Sequence, residues 1–326
     1  MPGPFGRTTD SAASSRAAAF VASREERASE LGRGLADHIP DPRRLAGVLR
    51  NAFRELADPE YRTGQVFVAP GIGPTYGVRS PLQAALRRSF LAASRRDPPS
   101  AMLLVADRLL REPEREARWL AVSILERTII AEPERSWQLL RRAAREADDW
   151  ITVDNLAHPF GKGILREAYR WAELEQLVVA PSRWERRLVG STIATIPYVD
   201  RTAGRDAAVA ARALPLLALL IGDAEPDVQK ALSWAYRSMT LVDPGATTAA
   251  LAAETETAAA TDDGQRAWVI RDSLAKLDPG DASRLRDRLA GIRRRPGAGP
   301  TSQAADLADR FAGMGLGATM PEPPLT

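Results

Sequence analysis

The sequence contains no cysteine, which excludes disulfides, thiolate nucleophiles and zinc–cysteine centres. Histidine occurs only at His38 and His158, in no ligand spacing, too little for a histidine-rich metal centre or a two-histidine metalloprotease helix. No metal or other cofactor is expected. No stretch of about 18 apolar residues is present, so no membrane span is expected. The opening Met1-Pro2-Gly3-Pro4-Phe5-Gly6-Arg7 lacks the apolar core of a signal peptide, and the cytoplasm is the expected location. Alternating strand patterns are nearly absent. Gln65-Val66-Phe67-Val68 is a candidate extended piece, although Pro70, Gly71, Gly73 and Pro74 directly after it argue for a loop. Lysine is scarce too: only Lys162, Lys230 and Lys276 occur, and every other basic side chain is arginine.

The 326 residues suffice for one large domain or two ordinary ones. Hydrophobic residues at 44% and charged residues at 27% are ordinary for a globular protein. The net charge of +3 is a mild bias that does not by itself imply nucleic acid. Arginine can fork onto phosphates, but arginine enrichment also follows from GC-rich coding.

Residues 1–22, rich in Ala, Ser, Gly and Arg, read as a loose tail turning helical near Ala17-Ala18-Ala19-Phe20. Residues 296–326 read as a second disordered tail, interrupted at most by a short amphipathic turn around Leu307 to Phe311. Between them, 23–295 is helix after helix. Ser80-Pro81 opens one with Leu86, Phe90 and Leu91 at helical spacing. Others run from Glu114 to Ile130, from Pro133, from Trp150 behind Asp148 and Asp149, from Arg183 to an end at Pro197, and from Pro226 to about Leu241.

A faint repeat runs through these helices. Arg118, Arg187, Lys230 and Arg266 each begin a short apolar or small stretch, at intervals compatible with units of roughly 30–40 residues. Helix pairs of that size suggest an all-α, HEAT-like repeat solenoid in which stacked pairs line a concave surface. The recurring bases would form a track along that surface, or else be solvated charges at helix starts.

Few residues offer chemistry. Trp150 and Asp154 stand four apart, so on a helix an indole and a carboxylate project side by side. Arg187, in Trp184-Glu185-Arg186-Arg187, and Trp234, in Gln229-Lys230-Ala231-Leu232-Ser233-Trp234, complete a set suited to a cation with a sugar attached. Through Trp150-x-x-Val153-Asp154, Trp184-x-x-Arg187 and Gln229-Lys230-Ala231-x-x-Trp234, in this order, the chain resembles the HEAT-like DNA alkylation repair enzymes, the AlkD-type DNA glycosylases. Tyr76-Gly77-Val78-Arg79-Ser80-Pro81 is similar to that family's early glycine-containing turn, and the resemblance spans roughly residues 40–280.

The resemblance implies a concave groove for duplex DNA containing alkylated bases, a monomer, and excision of cationic N3- or N7-alkylpurines without a deep base-flipping pocket. It implies Asp154 as the catalytic acid residue facing the sugar, with Trp150, Arg187, Trp234 and Lys230 as substrate- and DNA-binding residues and Arg187 on the phosphate. Other readings stand beside these. Asp154 could cap a neighbouring turn, Arg186 and Arg187 could be an exposed pair, and Trp119, Trp137, Trp171 and Trp268 read as core. The whole could also be a non-catalytic DNA-binding or protein-interaction scaffold.

Overall fold

The computed structural model describes residues 7–68 and 72–313. Seventeen α-helices and a few short 3₁₀ turns are present among them, and no strand; one isolated antiparallel bridge joins Ala57 and Val78. The chain forms two compact units, Met1–Ser136 and Trp137–Thr326.

The first unit contains α1 (Arg7–Ala22), α2 (Glu25–Leu35), α3 (Pro42–Leu56), α4 (Pro59–Val68), α5 (Ser80–Ala93), α6 (Pro99–Leu110) and α7 (Arg115–Thr128). Proline opens several of these helices, where its missing N–H is one that no helical carbonyl would accept. In α3 the residues Leu45, Leu49, Phe53 and Leu56 recur at helical spacing and are all buried. α3 packs on α6 and α7, while α2 packs along α5. The turn before α5 is set by Gly77, whose φ of +78° favours glycine. A Cβ there would also sit 2.8 Å from the Asp58 carbonyl oxygen. Glu116 holds this turn, accepting from the Gly77 amide at 2.9 Å and from Thr75 Oγ1 at 2.7 Å.

The second unit takes in most of α8 (Pro133–Glu146), followed by α9 (Trp150–Arg166), α10 (Arg170–Glu175), α11 (Arg183–Val199), α12 (Ala207–Leu220), α13 (Pro226–Met239), α14 (Pro244–Thr261), α15 (Gly264–Ser273), α16 (Pro279–Arg288) and α17 (Gln303–Gly313). Helices α9, α11, α13 and α15 lie side by side as one layer, α11 between α9 and α13. Behind them α12, α14 and α16 form the second layer. Neighbours on several sides explain why α11 is apolar or small at most positions from Leu188 to Pro197 and buried at nearly all of them. Gly190 lets α11 approach α13 closely: a Cβ there would be 2.8 Å from the Ala231 carbonyl carbon.

Several expectations change. Gln65 to Val68 belong to α4, because Asp58 caps that helix through the Glu60 and Tyr61 amides and Pro59 sits at its first turn. Pro197 does not end α11 but lies inside its last turn, two residues before Val199, where its missing N–H forfeits a single helical bond and little helix remains to be disturbed. Residues 7–22 form α1 rather than a loose tail. Past Pro296, Thr301 and Ser302 both donate their amides to the Gly222 carbonyl. Helix α17 then buries Ala304, Ala305 and Ala308, so a small apolar stripe orders this stretch through packing on α12. The parts of the expected tails at 1–6 and 314–326 lie outside the described residues.

Candidate functional site

The second unit's front layer carries the residues that the sequence singles out. Asp149 caps α9, its carboxylate accepting from the Ile151 amide at 2.8 Å and the Thr152 amide at 2.9 Å. That cap fixes the first turn, so Trp150 and Asp154 project from one face, both partly exposed. Ser182 caps α11 through the Trp184 amide, and Arg187 and Ser191 follow one turn apart on the face toward α9.

Asp154 meets both. Arg187 donates from Nε to Oδ1 at 3.1 Å and from Nη2 to Oδ2 at 2.8 Å, a bidentate fork. Ser191 Oγ donates to Oδ1 at 2.7 Å. The Arg187 side chain is 7% exposed and that of Asp154 is 22%. A carboxylate has about four lone-pair sites. Three are used here, and the site left over is on Oδ2. The Trp150 ring lies 6.0 Å from the Arg187 guanidinium carbon, at the edge of cation–π range.

These positions bear on three expectations. Arg187 is buried, and it serves the Asp154 carboxylate and a backbone carbonyl, that of Asp227, at 2.6 Å. Arg186 is not an exposed neighbour but is buried on Asp223, at 2.8 Å. The basic track does not run along the repeat within this unit, because Arg266 is tied to Glu254 and Asp263 while Lys230 is exposed. Burial forces such pairing, since an unpaired guanidinium in the interior would lose its hydration uncompensated.

Asp154, Arg187 and Trp150 are thus brought together. Trp234 and Lys230 lie on the adjoining surface of α13, on a partly exposed stripe made by Asp227, Lys230, Trp234 and Arg237. Trp234 is seven residues beyond Asp227, roughly 10 Å along the helix axis. Sequence reasoning overlooked Ser191, although its place four residues after Arg187 was a usable signal. It also placed Trp268 in the core, whereas its ring is partly exposed beneath Arg294, whose guanidinium carbon is 5.1 Å away. Trp137 and Trp171 are core residues as expected. Among the described residues, no three acidic or histidine side chains converge as a metal site would require, and no helix is long and apolar enough to cross a membrane.

Fold and site define an all-α protein built of stacked helix pairs, with a partly open carboxylate held by a buried arginine. The chain belongs to the DNA alkylation repair enzyme family, whose model matches residues 49–277. Among solved structures it is similar in fold to a predicted DNA alkylation repair enzyme from Enterococcus faecalis. The TM-score is 0.50 and the sequence identity 14%, over 73% of this chain and 98% of that one. No curated protein matches the chain in sequence.

Proposed function

We propose that this member of the family is a DNA glycosylase, acting in the cytoplasm on duplex DNA and excising cationic N3- or N7-alkylated purines. The observation that carries the reading is the held but incompletely satisfied carboxylate of Asp154, beside an indole and open to solvent on one edge. An N3- or N7-alkylated purine is already positively charged, so it needs no protonation to leave. The C1′–N bond breaks, the base departs neutral with the bonding pair, and the sugar becomes oxocarbenium-like. A water oxygen then bonds to C1′ and gives up a proton.

Asp154 suits both halves of that step. Its free Oδ2 edge would face the growing charge and orient the water. A unit charge at about 4 Å contributes on the order of 4 kcal/mol at an effective dielectric of 20. The Arg187 cation, on the far side of the carboxylate, subtracts part of this. About 2–3 kcal/mol remains, on the order of a hundredfold in rate. Arg187 and Ser191 act as positioning residues, since they hold the carboxylate aimed without touching the sugar themselves. Trp150 would pack on the deoxyribose, and Trp234 and Lys230 would receive the backbone further along, the lysine as a phosphate contact.

The test is single-turnover release of 7-methylguanine and 3-methyladenine from methylated duplex by wild type and Asp154→Asn. The variant is expected to bind the duplex with near wild-type affinity and to release base about a hundredfold more slowly. Equal release by the two proteins removes Asp154 from the reaction. The Asp154–Arg187 pairing also favours a second reading, a DNA-binding protein without excision activity, because a neutralised acid is a weaker catalyst. Wild-type binding with no base released selects that reading.

A further inference from the structure

The family match ends at residue 277, and the chain continues in order well past it. Residues 289–302 run as a strap over the N-terminal end of α15 and the turn that precedes α13. The strap is pinned along its length. Arg271 Nη2 donates to the Leu289 carbonyl at 2.6 Å and to the Ile292 carbonyl at 2.7 Å. Gln265 Nε2 donates to the Ala298 carbonyl at 3.1 Å. Thr301 reaches Asp263 through its hydroxyl at 2.5 Å and the Gly222 carbonyl through its amide at 2.8 Å. Gly264 makes room for it: a Cβ there would collide with the Arg293 carbonyl and lie 2.6 Å from the Arg294 nitrogen.

What this strap presents is Arg293-Arg294-Arg295, all three exposed. Three adjacent guanidiniums repel one another, so a backbone pinned this closely holds them together against that repulsion. Arg294 stacks on Trp268 and donates from Nη1 to Gln229 Oε1 at 2.8 Å. Arg295 pairs with Asp262 at the surface. Among the described residues Arg293 donates only to the adjacent Ile292 carbonyl, at 3.1 Å. The three arginines line a cavity of about 320 Å³ together with Arg266, Thr257, Thr261 and two carboxylates, Asp262 and Asp263, so four guanidiniums there outnumber two acids. Asp263 already caps α15 through the Arg266 amide, so the helix end itself is occupied and the arginines carry the positive charge.

We propose that the strap arginines form a phosphate-binding site for the DNA backbone, adding to the surface that the family's own repeats supply. Arg293 and Arg295 take the phosphodiester oxygens, and Arg294, fixed on Trp268 and Gln229, sets the register. A duplex is favoured over a small free anion because all three guanidiniums stand exposed in a row along the strap, open to a polyanion rather than closed around a single small ion. This inference rests on the duplex-DNA reading given above.

The experiment compares wild type with the double variant Arg293→Gln/Arg295→Gln in the full chain. These side chains lie outside the core, and equal thermal melting confirms that both proteins fold. Affinity for an unmodified duplex is measured between about 50 and 200 mM salt. The double variant is expected to bind about tenfold more weakly, and the slope of log affinity against log salt to fall by about 1.8, as two lost phosphate contacts require. An unchanged slope and affinity in a variant whose wild-type parent binds DNA overturns the strap site alone. Wild type that binds no duplex at low salt overturns both this site and the DNA reading. Inorganic phosphate and ADP are titrated in parallel, followed by tryptophan fluorescence. Saturation by either, with the DNA slope unchanged, reassigns the arginines to a small anion and likewise overturns the proposal.

Discussion

Arg187 Nη1 donates to the Asp227 carbonyl at 2.6 Å, while its other two nitrogens hold Asp154. One guanidinium thus ties α9 to the first turn of α13 and sets a carboxylate relative to the stripe that bears Lys230 and Trp234. A planar fork can make these bonds at once, and an ammonium on a flexible stem cannot. Arg187→Lys is expected to keep the charge and lose the geometry. Urea unfolding should show a loss of about 2 kcal/mol, from hydrogen bonds to charged groups that are not replaced. Base release should fall at least tenfold with duplex affinity little changed. A large loss of affinity with normal turnover at saturation would instead make Arg187 a DNA contact.

Ser191 tests the aim of the acid separately from its charge. Ser191→Ala removes the 2.7 Å bond to Asp154 Oδ1 and leaves the Arg187 fork intact. The side chain is fully buried, so the methyl of alanine fits the space. A stability loss of about 1.5 kcal/mol is expected for a hydrogen bond to a charged acceptor. Turnover should drop several-fold with an unchanged KM for the duplex, and Ser191→Thr should restore part of it.

Gly190 separates packing from chemistry. Alanine there would bring its Cβ to 2.8 Å from the Ala231 carbonyl carbon and 2.9 Å from the Ala231 Cβ, and backbone cannot yield as a side-chain tip can. Gly190→Ala is expected to cost about 1–3 kcal/mol as an overpacking change, read as a lower melting temperature. Because α13 must move, Trp234 and Lys230 shift relative to Asp154, and base release should fall although every polar group remains.

Glu185 gives a pH dependence. Burial pushes its carboxyl above the ordinary value, and the Arg141 and Arg145 charges only partly oppose that. The folded state therefore holds this proton more tightly than the unfolded chain. The resulting contribution to stability is complete below the ordinary glutamate value of about 4.3 and is lost as pH rises through the raised folded value. Glu185→Gln removes the dependence. The variant should melt above wild type at pH 7.5, and the difference should shrink as the pH is lowered toward about 4. A difference independent of pH would show that burial does not perturb this carboxyl.

Much of the architecture was legible along the chain because helices are local. Prolines at first turns, aspartate and serine caps and apolar residues at helical spacing depend on neighbours within a few residues. They mark most helix starts in place, from Pro81 to Pro226. Trp150 and Asp154 share a face for the same reason. The stretch Gln65 to Val68 misled because propensity is a weak prior, and a capped α4 overrode it.

The side-chain pairings could not be read that way. Asp154 lies 33 positions from Arg187 and 37 from Ser191. Nothing in the local pattern says whether an arginine at a helix start meets water, a phosphate or a carboxylate. Adjacent Arg186 and Arg187 look alike in sequence, yet one is buried on Asp223 and the other on Asp154, because side chains one residue apart point about 100° from each other on a helix. Small residues in α17 and the Gly264 gap likewise acquire meaning only once the strap crosses α15. Helix positions follow from short-range backbone preferences, whereas the partner of a charge follows from which helices stack, and that is a property of the whole packed unit.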